Sequence, residues 1–306
     1  MSVTEIPVQH LFTMTLKDVR ADRQDFAGPF GRRIFERPSG GTVAGARVRG
    51  QVLNLLATDY GNASVDGSIR HLDANVTVQT DDGVVILMQI RGRTSPNYGT
   101  GQSRIQILFT VGPGAYDWLS GVQAIGIGRD AGGDTVHEVY ALTGAQEGAA
   151  AVGGSAAPGR ERTSVTAEYL FTRQSQHTPG AQRHIIDSPL GKRFLTLAEG
   201  GGAFQGPRLQ GQFLPGFSWS PHRIGTLHEQ PLLHYDVKTL LRTNDGVPIL
   251  MSYVGVYSTA YPDQSWMTAT LFEVPAGPYA WLNEVQAVGV GRTFGGGAEY
   301  KVYALK

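Results

Sequence analysis

The sequence contains no cysteine, which excludes disulfides and thiolate chemistry. It carries no surplus of either charge: 26 Lys and Arg face 26 Asp and Glu. Bulk electrostatics therefore draws neither nucleic acid nor an anionic membrane to it. No apolar stretch approaches the about 20 residues of a membrane-spanning helix. Met1 to Gln9 lacks a basic region followed by an apolar run, so no signal peptide is read there and a cytoplasmic protein is expected. There is no Gly-x-Ser-x-Gly elbow, phosphate loop or Cys/His metal cluster. The pieces Gly126-x-Gly128 and Gly289-x-Gly291 fall inside expected strands with no helix after them, so they are not nucleotide loops. Nothing calls for a cofactor. Arg exceeds Lys, and Ala and Gly are common, as in the proteins of GC-rich bacteria.

What is present is a duplication. Thr80-Asp81-Asp82-Gly83 returns as Thr243-Asn244-Asp245-Gly246, and Tyr116-Asp117-Trp118-Leu119 as Tyr279-Ala280-Trp281-Leu282. Val122 to Arg129 returns almost unchanged as Val285 to Arg292. Each copy closes on Val-Tyr-Ala-Leu, at Val139 to Leu142 and Val302 to Leu305. Each repeat is about 140 residues, enough for its own core, and the period is too long for a solenoid or propeller. The expected organisation is a first domain over 1–145, a Gly/Ala-rich linker over 146–162 and a second domain over 163–306.

Neither repeat shows an amphipathic helix. Apolar residues alternate or run in short blocks, punctuated by Gly, Pro and Asp-Gly. About eight strands are expected per repeat, including Arg32–Glu36 and Lys192–Leu197. Asp81-Asp82-Gly83 and Asn244-Asp245-Gly246 read as hairpin turns between two long strands, because Gly accepts positive φ. The expected fold is all-β: two tandem antiparallel barrels packed as a pseudo-dimer, with a two-sheet sandwich as the alternative. Further homo-oligomerisation stays open.

Several motifs recur in order: Gly40-Gly41 and Gly200-Gly201; Gly206-Pro-Arg-Leu-Gln-Gly211 against Gly45-Ala-Arg-Val-Arg-Gly50; Leu72-Asp73 and Tyr235-Asp236; then the Asp-Gly turn and Tyr-x-Trp-Leu. This pattern resembles the domain-of-unknown-function family 3237 across nearly the whole chain outside the linker. The resemblance implies a compact β-barrel that tends to dimerise, and no established activity. A Gly followed by Asp-Trp is expected after the Gly-Pro step. It survives as Asp59-Tyr60 in the first copy and Ser218-Trp219 in the second.

Strand alternation supplies the candidate chemistry. His71 and Asp73 share one face of the strand 68–80, and His234 and Asp236 share one face of 232–243. Their Cα atoms would lie about 7 Å apart, so an Asp could orient a His acting as general base. These four residues are the expected catalytic groups, and that face is expected to line the barrel. Asp59, Tyr60 and Trp219 are placed on a loop at the barrel mouth, with His222 and His228 in the loop that follows in the second copy. Tyr253 and Tyr257 share a face of the strand after the hairpin, where the first copy has Ile90 and Thr94. Together they form an expected substrate-binding set. The histidine spacing lacks His-x-His or His-x3-His, so no metal site is expected. The expected function is a cofactor-independent isomerase, cyclase or lyase moving a proton on a small ring-containing molecule. The alternative is a non-catalytic binding or carrier protein. The richer set of His and Tyr points to the second barrel.

Overall fold

A computed structural model describes residues 3–28, 31–64, 66–143, 162–177, 183–189, 191–196, 199–259 and 261–306. The expected linker falls outside these except for its last residue, Arg162. The chain forms two compact units, essentially Pro7–Thr143 and Val165–Lys306.

In the first unit the strands are β1 (Val3–Lys17), β2 (Gln24–Gly28), β3 (Gly31–Phe35), β4 (Gly40–Ala44), β5 (Arg49–Asp59), β6 (Asn62–Ala63), β7 (Arg70–Thr80), β8 (Val85–Thr94), β9 (Gln102–Val111), β10 (Gln123–Ala131) and β11 (Asp134–Leu142). Antiparallel pairing runs β1–β4–β5–β7–β8–β9–β10–β11 and returns to β1. The ring is closed, so this is an eight-stranded barrel with no free edge, and the sandwich alternative falls. The second unit holds β12 (Ser164–His177), β13 (Arg183–Ser188), β14 (Gly191–Thr196), β15 (Glu199–Gln205), β16 (Gln210–Leu227), β17 (Gln230–Thr243), β18 (Pro248–Ser258), β19 (Trp266–Glu273), β20 (Gln286–Phe294) and β21 (Gly297–Leu305). Its ring runs β12–β15–β16–β17–β18–β19–β20–β21 and back to β12.

The number of ring strands agrees with expectation, but one member of each ring does not. Arg32–Glu36 and Lys192–Leu197 belong to hairpins outside the rings, β2–β3 and β13–β14. Their places are taken by β4, which opens on Gly40-Gly41, and β15, in which Gly200 to Gly202 follow Glu199, and neither shows a clear hydrophobic alternation. The glycines answer to close approach. A Cβ on Gly41 would lie 2.1 Å from the Thr15 carbonyl oxygen, and one on Gly202 would lie 2.1 Å from that of Gln174.

Inside each barrel the inward-facing residues form a continuous apolar core, with Phe12, Phe109 and Met14 in the first and Phe171, Phe204 and Phe272 in the second. The Tyr-x-Trp-Leu segments form short 3-10 turns, Asp117–Gly121 and Ala280–Glu284, whose Leu119 and Leu282 are fully buried. Tyr116 donates to Asp82 (3.0 Å) and Tyr279 to Asp245 (3.1 Å), tying each turn to its Asp-Gly hairpin. Arg47 lies 3.7 Å over Trp118, and Arg208 3.7 Å over Trp281. Among the described residues no helix is long and apolar enough to cross a membrane.

Candidate functional site

The first barrel encloses a cavity of about 340 Å³, at the lower end of the ~300–1,000 Å³ range of small-molecule sites. Its strand walls follow from alternation. On β7 the lining residues are Arg70, Leu72, Ala74 and Val76. From Arg70, strand pairing carries one row around the barrel: Thr94 on β8, Ser103 on β9, Gly128 on β10, His137 on β11 and Met14 on β1. Below it run Leu72 with Ile105, then Ala74 with Ile90, then Val76.

His137 is the central group of the upper row. It is 5% exposed, and its Nε2 lies 3.2 Å from Ser103 Oγ. Its Nδ1 has no hydrogen-bond partner among the described residues. Burial pushes its pKa down to about 4, so the ring is neutral at pH 7. The pair exists because Gly128 stands between its members. A Cβ there would sit 2.0 Å from Ser103 Oγ and 2.5 Å from His137 Nε2. Gly128 makes space for two polar side chains.

The charged side of the site is built by the hairpin outside the ring. Glu36, just past β3, exchanges backbone hydrogen bonds with Asp59 at the end of β5. Arg70 then donates to both carboxylates, at 2.7 Å to Glu36 and 2.5 Å to Asp59. Arg23 reaches Glu36 at 3.4 Å. Asp59 also accepts the Asp73 backbone N–H at 3.0 Å. Burial raises the Asp59 carboxyl above the usual carboxylate range, against the pull of Arg70 and that N–H.

The His-x-Asp assignment is corrected by the direction of the strands. His71 and Asp73 alternate with the cavity-lining Arg70, Leu72 and Ala74, so they occupy the outer face of β7. His234 and Asp236 alternate in the same way with Tyr235 and Val237, which join the second core. Asp73 is paired with Arg91 (3.8 Å), while the pKa of His71 is lowered to about 4 by burial and then by Arg93, Arg91 and Arg33. The inward face of β7 carries Leu72, Ala74 and Val76 below Arg70, so the more polar face of this strand turns outward.

The expected binding residues scatter. Asp59 lines the cavity. Tyr60 is exposed and packs edge-on against Phe35 (5.9 Å), outside the lining. Trp219 lies within β16, not on a loop, and is 53% exposed. Strand pairing matches Trp219 to Thr58, and hence Ser220 to Asp59, because Thr58 pairs with Asn75 as Trp219 pairs with Lys238. His228 sits with Glu229 at positive φ in the exposed turn joining β16 to β17. His222 is buried in β16, 4.7 Å from the Tyr235 ring, with its pKa lowered to about 4 by burial. Tyr253 is buried in the second core, and Tyr257 packs against that core. The residues missed were His137, Ser103, Glu36 and Arg70. The pairing of His137 with Ser103 across Gly128 is a contact over three strands, which no local spacing records.

In the second barrel the same upper row reads Leu233, Tyr257, Trp266, Gly291, Tyr300 and Arg173. Trp266 and Tyr300 take the places of Ser103 and His137, with ring centroids 5.6 Å apart. Arg173 is fully buried, 4.2 Å over Phe213 and 4.9 Å over Tyr300, and donates to the Tyr253 hydroxyl at 3.2 Å. Large side chains occupy this row in the second barrel, whereas the first has a cavity.

Two tandem closed barrels, one with a polar group buried in its cavity, define the class of protein. The chain matches the family model described as "Protein of unknown function (DUF3237)" over residues 6–142 and 165–305, and it belongs to that family as a tandem copy of the domain. No curated protein matches it in sequence. Among solved structures it is similar to a β-barrel-like protein from Acinetobacter baumannii AYE (24% identity, 46% of this chain and 95% of that chain, TM-score 0.40). It is also similar to a conserved protein of unknown function from Rhodopseudomonas palustris (22%, 44% and 97%, TM-score 0.40). A third likeness is to a protein described as an enzyme from Penicillium herquei (22%, 48% and 99%, TM-score 0.38).

Proposed function

We propose that the first barrel is a cofactor-independent enzyme of the isomerase, cyclase or lyase type, moving a proton on a small organic molecule held in its cavity. The observation that carries this reading is His137: buried, neutral, held by Ser103 and left with an unpartnered ring nitrogen beside the cavity. A pKa of about 4 keeps the ring ready to accept a proton at neutral pH. It takes one as negative charge develops on the substrate, which raises its basicity. Ser103 orients the imidazole. The guanidinium of Arg70 stands in the same row, held in place and neutralised by Glu36 and Asp59. The lining holds no Phe, Tyr or Trp among the described residues, and Leu72, Ala74, Val76, Ile90 and Ile105 favour an alicyclic or open-chain body over an aromatic one.

The second reading is a binding or carrier protein, favoured by those same aliphatic walls, which need no titrating base. Incubation of the full chain with cyclohexanone in heavy water separates the two. The enzyme reading expects α-proton exchange well above the buffer rate, lost about 100-fold or more in His137→Phe and retained in His234→Ala. Binding without exchange would establish the carrier, and equal exchange in His137→Phe would remove His137 from the chemistry.

A further inference from the structure

We propose that the first barrel takes its ligand tail first: an uncharged ketone or alcohol whose oxygen stops at the Ser103–His137 row and whose aliphatic body fills the rows beneath. This deepens the preceding reading and rests on His137 as the group that meets the ligand. Three observations lead to it.

The first is the order of the rows. The polar side chains Arg70, Ser103 and His137 share the upper row, and the cavity walls below are Leu72, Ile105, Ala74, Ile90 and Val76. From Arg70 to Val76 is six residues of strand, about 15 Å of depth for a barrel tilt near 40°. The acid in the rows beneath, Asp59 opposite Ala74, is taken up by Arg70 and the Asp73 N–H, so an uncharged polar group finds the Ser103–His137 pair at the top of the strand walls.

The second is the state of the arginines. Each arginine that lines the cavity is already held by carboxylates: Arg20 by Asp130 (2.6 Å), Arg23 by Asp25 (3.1 Å) and Glu36 (3.4 Å), Arg32 by Asp25 (2.6 Å), and Arg70 by Glu36 (2.7 Å) and Asp59 (2.5 Å). An anionic head would meet Glu36 and Asp59 along with the guanidinium of Arg70, so the site repels a carboxylate as much as it attracts one. An uncharged oxygen avoids that cost and accepts from the Ser103 hydroxyl when His137 Nε2–H donates to Ser103 Oγ, which leaves Nδ1 of His137 to take a proton.

The third is the lining itself. Among the described residues it includes no Phe, Tyr or Trp, so it offers no ring to stack on a flat aromatic ligand. At ~30 Å³ per water-sized group, about 340 Å³ takes at most on the order of ten to twelve non-hydrogen atoms, and part of that space lies above the Ser103–His137 row beside Arg20, Asp130 and Thr135.

The test is a chain-length series. The full protein is titrated with 2-alkanones from 2-pentanone to 2-dodecanone, and with the alkanoates of equal length at pH 7, using ligand-observed NMR. Kd for the ketones is expected to fall about three- to fourfold per methylene and then level off, at no more than about ten to twelve carbons. Each alkanoate should bind more weakly than its matching ketone. Ala74→Phe raises the floor of the well, so levelling comes several carbons earlier while 2-pentanone binds as before. Should Ala74→Phe not fold, Ala74→Leu is expected to move the levelling point the same way by less. Tighter alkanoates, a flat series or a levelling point unmoved by these variants would overturn the proposal. Length-dependent ketone binding without proton exchange supports this ligand class and overturns the enzyme reading. Exchange with a flat series does the reverse.

Discussion

In the first barrel the upper row reads Arg70, Thr94, Ser103, Gly128, His137, Met14; in the second it reads Leu233, Tyr257, Trp266, Gly291, Tyr300, Arg173. The glycine is shared, and the use of the space it opens is not. Gly128 admits a serine–histidine pair, while Gly291 admits an indole, with a Cβ there only 1.9 Å from Trp266 Nε1. One backbone thus supports a row of small and polar side chains beside a cavity, and a row of large ones that fill the space. Histidine and tyrosine are abundant in the second repeat, but much of that ring surface packs against other side chains. The cavity belongs to the repeat with the smaller, plainer residues.

The comparison can be broken by exchanging residues between the rows. Met14 is fully buried and lacks the rings that surround its counterpart Arg173, since Val52, Ile90 and His137 stand where Phe213, Tyr253 and Tyr300 do in the second barrel. Met14→Arg is expected to cost about 3–5 kcal/mol by leaving a charge buried without its cage. Arg173→Met should change stability by no more than about 2 kcal/mol, because a buried charge gives way to an apolar side chain. Urea denaturation of the full chain reads both.

Acid titration comes next. His137 in the first barrel and His222 in the second have folded pKa values near 4 against a reference of 6.5, as does His71 on the outer face of β7. Above pH 6.5 all three are neutral, folded or unfolded, and contribute no slope. As pH falls from 6.5 to 4, the unfolded chain takes up protons that the folded chain refuses, so stability falls. Each group accounts for about 3 kcal/mol across that window. His137→Phe and His222→Phe should each flatten the acid limb by a similar amount, and an unchanged limb would show that the imidazole concerned is solvated.

The shared glycine gives a smaller and unequal effect. Gly291→Ala is expected to cost about 2–3 kcal/mol, because the Trp266 indole is locked among Tyr235 and Tyr300. Gly128→Ala should cost about 1 kcal/mol, since Ser103 can turn away into the cavity, but it should separate Ser103 from His137. Equal losses in the two barrels would contradict the difference in packing. The smallest effect should also be the symmetric one. Tyr116→Phe and Tyr279→Phe remove equivalent exposed hydrogen bonds to Asp82 and Asp245, and each should lower Tm by about 2 °C or less.

Much of the fold was legible because it rests on local signals. The Asp-Gly turns, the alternating strands and the repeated Tyr-x-Trp-Leu segments all fall where expected. β4 and β15 were not legible, since glycines selected by a neighbouring carbonyl carry no hydrophobic pattern. The site was legible only in Asp59. His71 and His234 were drawn to the site by an assumption about which face of a strand points inward. A strand that alternates polar and apolar residues has two faces, and its sequence does not say whether a polar face meets solvent or lines a cavity.

The sequence by itself determined the duplication, the all-β character and the family, because turn chemistry, strand period and motif order are properties of neighbouring residues. Only the tertiary structure decided which faces turn inward, that Ser103 and His137 meet across Gly128, and that Glu36 from a hairpin outside the ring joins Arg70 and Asp59. The physical reason is closure. A ring of eight strands brings residues far apart in the chain into one row, and the burial that makes His137 neutral exists only once the ring is shut.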